Sequence, residues 1–136
     1  MQRNTSNINF VSVIGQKVNE INRMYPILIL DDGHLTIECP WRLRKGNRVI
    51  VGQPETKIED KKDKAFLEFE EALVGNTIKD IIHYEDISDL SVAFDGDVYL
   101  DLFHDSSWYE GWQLQGPGSF FVVSTPGGGY SHWKED

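Results

Sequence analysis

The chain has 136 residues, which fits one domain, and its 13 basic residues stand against 22 acidic ones for a formal net charge of −9. This balance argues against nucleic-acid binding, which needs Lys and Arg to displace phosphate counterions, and against docking to an anionic membrane. No apolar stretch matches a signal peptide or a membrane span, and Cys39 is the single cysteine. We therefore expect a cytoplasmic protein without an intrachain disulfide.

The first half of the chain predicts strands over 16–25, 26–31, 34–39 and 41–51, the last of which is itself a hairpin. An Asp-Gly pair between apolar strands is typical of a type I′ turn, because glycine accepts a positive φ without steric cost. Asp32-Gly33 is therefore predicted to form such a turn.

Segment 61–74 is predicted to be the main helix. Phe66, Phe69 and Leu73 recur at helical spacing, and charged residues lie on the opposite face. The polar stretch 52–60 before it predicts a linker between two halves of one domain.

The second half predicts a similar series of strands, which lie over 77–84, 90–94, 97–103, 110–115, 119–125 and 129–133. The last of these follows a Thr-Pro-Gly-Gly-Gly turn. A hairpin turn explains this glycine run better than a phosphate loop, since no Gly-Lys-Ser/Thr follows it.

Three segments of the first half match three segments of the second half in the same order. The matched pairs are 14–21 with 74–81, 27–37 with 91–100, and 41–51 with 112–122. Chance similarity between two β-rich stretches would produce one such match but hardly three. The pattern therefore indicates an internal duplication with small insertions.

These elements predict an α+β fold that is predominantly antiparallel β. We expect an internally duplicated strand-rich unit that forms a two-sheet or barrel-like core with the helix at 61–74. The single domain, 1–136, would consist of two pseudo-repeats, at about 8–52 and 68–123, and a C-terminal hairpin strand at about 129–133.

Candidate binding residues lie in segment 104–111, which lengthens the second copy and has no counterpart in the first. The residues of this segment that could take part in binding or catalysis are His104, Asp105, Trp108, Tyr109 and Glu110. On one interpretation His104 and the two carboxylates line a polar pocket, and the aromatic rings form its walls. On the other, the segment is a hairpin tip whose aromatic rings cap the end of the core.

The histidines, at 34, 83, 104 and 132, fit no metal-binding motif, and no cofactor motif is present. Ser106 and Ser107 lie close to His104 but lack a nucleophile-elbow context. We therefore expect no cofactor, no metal and no assignable catalytic residue.

Five segments carry a family resemblance, namely IECPWRLR at 37–44, LVG at 73–75, LSVAFDGDVYLDLF at 90–103, YEGWQLQGPGSFFVV at 109–123 and TPGGGYSHW at 125–133. Together they resemble a family of small acidic bacterial proteins of unknown function, some of which are suspected to be immunity proteins. It covers the chain from about Ile14 to Trp133. These motifs are structural, so the resemblance implies a fold and no catalytic residue.

The leading functional hypothesis is a non-enzymatic protein-interaction module, with an immunity-type protein as its more specific form, whose partner has a basic surface or is a toxin. One alternative is a small-ligand-binding protein. Another is an enzyme with an acid–base pair of His104 and Asp105 or Glu110. A homodimer is compatible with each hypothesis, since exposed edge strands pair readily.

Overall fold

The structure, a computed structural model, describes residues 3–134. In chain order the strands of this part are β1 Val18–Asn22, β2 Ile27–Leu30, β3 Gly33–Ile37, β4 Trp41–Lys45, β5 Arg48–Gly52, β6 Ile78–His83, β7 Leu90–Phe94, β8 Val98–Leu102, β9 Trp112–Gln115, β10 Phe121–Thr125 and β11 Gly129–Trp133. The α-helix, α1, spans Lys62–Leu73 and follows a short 3-10 helix at Gln53–Lys57.

The strands form two antiparallel sheets. The six-stranded sheet has the order β1-β2-β3-β9-β10-β11, and the five-stranded sheet has the order β5-β4-β8-β7-β6. The predicted fold class is confirmed: the protein is mostly antiparallel β in two sheets with one main helix. The sheets do not close into a barrel, so the barrel-like alternative is wrong.

The chain crosses from one sheet to the other at corresponding places in its two halves. Strands β1–β3 lie in the six-stranded sheet and the β4–β5 hairpin lies in the five-stranded sheet. In the second half, β6–β8 lie in the five-stranded sheet and the β9–β10 hairpin lies in the six-stranded sheet. As a result, β3 pairs with β9 and β8 pairs with β4. Each sheet thus joins three strands of one half to the hairpin of the other, and β11 extends the six-stranded sheet beyond β10. This exchange supports the duplication, which stays a prediction.

The two halves meet in a reciprocal set of backbone hydrogen bonds around a bridge between Lys17 and Thr77. Four bonds of 2.7–3.0 Å flank this bridge, and with the N–H donor first they are Gly15 to Ile78, Gly75 to Val18, Ile78 to Gln16, and Val18 to Asn76. Each bond has a counterpart in which the halves exchange roles. Both glycines have positive φ, +96° and +85°, which glycine adopts without strain.

One hydrophobic core lies between the sheets and takes residues from both. Helix α1 covers one side, where Phe69 packs on Trp41 with ring centres 4.5 Å apart. The N-terminal segment lies along β6 and buries Phe10, whose ring centre is 6.2 Å from that of Phe120. No helix within residues 3–134 is long and apolar enough to cross a membrane.

The predicted turn at Asp32-Gly33 is wrong in its placement. Asp31 and Asp32 form the turn, and neither has a positive φ, so it is not of type I′. Gly33 is instead the first residue of β3, with φ +134°. A Cβ atom there would collide with the backbone carbonyl of Gln115. The glycine therefore permits the close approach of β3 to β9.

Replacement of Gly33 by alanine should lower the free energy of unfolding by roughly 3 kcal/mol, because the new methyl group adds a collision to the cost of a positive φ. Gly96→Ala is the matched control. Gly96 also has a positive φ, +82°, but its Cβ would meet no atom within 4 Å. This control should lose roughly 1 kcal/mol. Urea unfolding measures both values, and equal losses would contradict the close-approach explanation.

Candidate functional site

Three loops meet at one end of the sandwich, which we call the loop end: 84–89, 103–111 and 126–128. Hydrogen bonds tie each of these loops to another. With the N–H donor first, they are His104 to Asp89 Oδ1 at 2.8 Å, Gly127 to Ser106 O at 2.9 Å, and Ser88 to Gly128 O at 3.0 Å. The loops therefore form one connected surface rather than three independent segments.

The buried hydroxyl of Ser124 organises the longest of these loops. Its Oγ accepts hydrogen bonds from the backbone N–H groups of Gly111 and Trp112, each at 2.9 Å. The hydroxyl proton is then directed to His104 Nδ1, at 3.1 Å, and His104 Nε2 donates to the carbonyl of Ser106 at 2.7 Å. Both ring nitrogens of His104 thus hold the loop in place.

Gly111 leaves room for this arrangement. A Cβ atom at this position would lie 2.5 Å from His104 Nδ1 and 2.6 Å from Ser124 Oγ. Both distances are far below van der Waals contact, so a larger residue would displace the imidazole or the hydroxyl. The sequence places this glycine directly before Trp112, but its role depends on two side chains from other parts of the chain.

The tip of the loop presents two aromatic side chains to solvent. Ser106 Oγ accepts hydrogen bonds from the backbone N–H groups of Trp108 and Tyr109, at 3.0 and 2.8 Å, which fixes the turn. The two residues are 79% and 70% exposed. We call this pair the aromatic tip. Because it is exposed, the alternative in which these rings cap the core is wrong.

The remaining predicted site residues do not converge on a pocket. His104 is buried, whereas Asp105 and Glu110 are exposed, and Glu110 Oε1 accepts a hydrogen bond from Gln113 Nε2 at 2.8 Å. The partners of the imidazole are a serine hydroxyl and a carbonyl group rather than a carboxylate. This geometry does not favour the acid–base hypothesis. The five residues as a binding site stay a prediction.

A second buried histidine, His83, connects the loop end to the N-terminal segment. Its Nδ1 lies 2.8 Å from Ser6 Oγ, and its Nε2 lies 3.0 Å from Ser88 Oγ. The ring also packs edge-on against Tyr130 and Trp112, with ring centres 4.6 and 5.6 Å away. Burial, assisted by the nearby His132, lowers the pKa of His83 to about 4. Sequence reasoning missed this cluster, since Ser6 is 77 positions away.

A groove of about 670 Å³ crosses the outer face of the five-stranded sheet. We call it the sheet groove. The small residues Ser91 and Ala93 form its floor, and Tyr84, Tyr99 and Arg44 lie along its walls. Sequence reasoning also missed this site. The available signal was the alternation of these small residues with large buried ones in β7.

A buried carboxylate lies beside this groove. Asp101 accepts hydrogen bonds from Arg42 Nε at 2.8 Å, Arg44 Nε at 2.7 Å and Ser91 Oγ at 2.8 Å. Burial by itself would raise the pKa of Asp101, but the bonds from the two arginines and the serine outweigh it and lower the pKa. Strand register explains the grouping, because Asp101 faces Ser91 on one side and Arg42 on the other.

Two further observations concern reactive and metal-binding groups. Cys39 is buried, and burial raises the pKa of its thiol to about 12, which suppresses the reactive thiolate. Within residues 3–134, no three His, Cys, Asp or Glu side chains are grouped to hold a metal ion.

Comparison with known proteins identifies a family but no characterised relative. The model of a family of unknown function, DUF6188, matches residues 12–134. No curated protein and no solved structure matches the chain.

The lowered pKa of His83 predicts an acid-sensitive fold. In the unfolded chain this imidazole binds a proton below about pH 6.5, whereas in the folded protein it stays neutral down to about pH 4. Stability is therefore lost as the pH falls between these values. From pH 7 to pH 5, His83 should remove about 2 kcal/mol from the free energy of unfolding. In His83→Gln, the loss of stability between pH 7 and pH 5 should be smaller by that amount, as measured by urea unfolding at the two pH values. An unchanged loss would refute the assignment of the acid sensitivity to His83.

Proposed function

We propose that this chain, which belongs to the DUF6188 family of unknown function, is a non-enzymatic module that binds another protein through its loop end. The observation that carries the proposal is the aromatic tip, two large side chains that are 79% and 70% exposed on a loop held by buried hydrogen bonds. Tryptophan and tyrosine are the residue types that most often dominate the binding energy of protein interfaces.

The rigidity of the loop favours this role. Exposed Trp108 and Tyr109 side chains contribute little to the core, yet three hydrogen-bonding side chains, those of His104, Ser106 and Ser124, maintain the turn that displays them. A loop that is ordered before binding loses less conformational entropy when the partner docks. The arrangement is therefore suited to recognition rather than to packing.

The charge around the aromatic tip favours a basic partner. The exposed carboxylates of Asp105 and Glu110 flank the tip in the loop, and those of Glu85 and Asp86 lie in the neighbouring loop. The whole chain carries a net charge of −9, which would steer a basic surface toward it. A small acidic protein that covers the basic active site of a toxin, as an immunity protein does, is the form of this function that we propose.

A double variant, Trp108→Ala with Glu110→Lys, tests the proposal against the protein encoded by the adjacent gene, the expected partner of an immunity-type protein. We expect affinity to fall by roughly 30-fold or more, because the variant removes an aromatic anchor and reverses a charge. Surface changes of this kind typically alter stability by only about 0.5 kcal/mol, so the melting temperature should stay near that of the wild type. Titration calorimetry and thermal unfolding measure the two effects.

Trp133→Ala with Glu71→Lys is the matched control. It removes one exposed tryptophan and reverses one exposed carboxylate, but Trp133 ends β11 at the opposite end of the sandwich and Glu71 lies on α1. The control should bind like the wild type. Equal affinity of the wild type and the loop-end variant, or an equal loss in the control, would be evidence against a loop-end interface.

A further inference from the structure

We propose that the sheet groove binds a small molecule in which a planar ring is joined to a phosphate, as in a nucleoside monophosphate. The sheet groove lies on a sheet face, and the proposal does not rest on the loop-end interface. Its volume of about 670 Å³ falls in the range of small-ligand sites. A smaller pocket of about 140 Å³ adjoins it and shares Arg44, Tyr84 and Ser91 as lining residues.

The small residues of the floor create a flat platform. Cross-strand pairing places Ser91 beside Asp101 and Ala93 beside Tyr99, so two short side chains lie between larger ones. Tyr84 and Tyr99 line the groove as well, and the guanidinium groups of Arg3 and Arg44 lie over their rings. A planar ring can therefore lie on this platform beside an aromatic side chain, in the manner in which nucleobases contact aromatic side chains.

The smaller pocket is built for one anionic group. Three of the chain's five arginines line it, Arg3, Arg42 and Arg44, against two carboxylates, Asp89 and Asp101. Three positive and two negative charges leave a local charge of +1 in a chain whose net charge is −9. A phosphate group is the natural counterpart, because arginine forms short charge-assisted hydrogen bonds with phosphate oxygens.

The arginines are held in place before any ligand arrives. The guanidinium groups of Arg3, Arg42 and Arg44 lie over the rings of Tyr84, Phe103 and Tyr99, at 4.1, 5.0 and 4.2 Å. Among the side-chain hydrogen bonds of the described residues, Arg42 donates only through Nε, to Asp101. Its terminal nitrogens remain available to a ligand on a side chain that is 47% exposed.

Two arginines share one buried carboxylate, since Arg42 and Arg44 both donate to Asp101. One positive charge balances Asp101, and the second remains on the outer face of the sheet beside the groove. The opposite end of the sheet groove carries Asp80 and Asp97, whose oxygens can accept hydrogen bonds from the amino group of a base.

Titration calorimetry of the full chain with AMP, GMP and CMP tests the proposal, with adenosine and inorganic phosphate as partial ligands. At least one monophosphate should bind, and AMP should bind at least about tenfold more tightly than adenosine, since charge-assisted bonds to the phosphate contribute 1.4 kcal/mol or more. Arg42→Gln should reduce AMP binding to the adenosine level. Arg48→Gln is the matched control, because Arg48 is exposed on β5 and does not line the groove.

Ala93→Leu provides an independent test that leaves every arginine in place. The larger side chain fills the floor of the sheet groove and should weaken binding of AMP by at least about tenfold. Circular dichroism checks that each variant is folded. If Arg42→Gln does not fold, the result with Ala93→Leu tests the proposal. Absence of binding of all three monophosphates to the wild type at millimolar concentration would overturn the proposal. So would AMP binding that survives Ala93→Leu unchanged.

Discussion

The reciprocal backbone contact between the two halves is the constraint on which the rest of the fold depends. Around the Lys17–Thr77 bridge, each half donates to and accepts from the other, so neither half satisfies its backbone groups alone. The hairpin exchange extends this dependence into both sheets, since β3 needs β9 and β4 needs β8 as neighbours. The buried residues of both halves accordingly belong to one hydrophobic core.

This crossing brings together segments that are distant in the chain. At the loop end, the loops after β6, β8 and β10 meet, and polar residues that would be costly to bury alone find partners there. His83 and His104 illustrate the result, because each is buried with both ring nitrogens hydrogen-bonded, and one partner of each, Ser6 or Ser124, lies far away in the chain. The same framework leaves the outer face of the five-stranded sheet open, where Arg42, Arg44 and Asp101 form a charged cluster.

Hydrophobic pattern and turn chemistry predicted α1 and the strands, since these signals act over a few neighbouring residues. The candidate site was predictable only in part. Segment 104–111 was identified because it interrupts the predicted repeat. The exposure of Trp108 and Tyr109 could not be predicted from residue type, since aromatic residues are usually buried. His83 and Asp101 escaped prediction because their partners arrive through strand pairing and through the N-terminal segment.

The sequence by itself determined the fold class, the helix and the strands, because alternation and helical spacing are local properties. Only the tertiary structure decided that the halves exchange hairpins, that Gly33 allows β3 to approach β9, and that His104 holds a loop together. It also decided where charge and aromatic surface remain exposed. These outcomes depend on contacts between residues far apart in the chain, which no local pattern encodes.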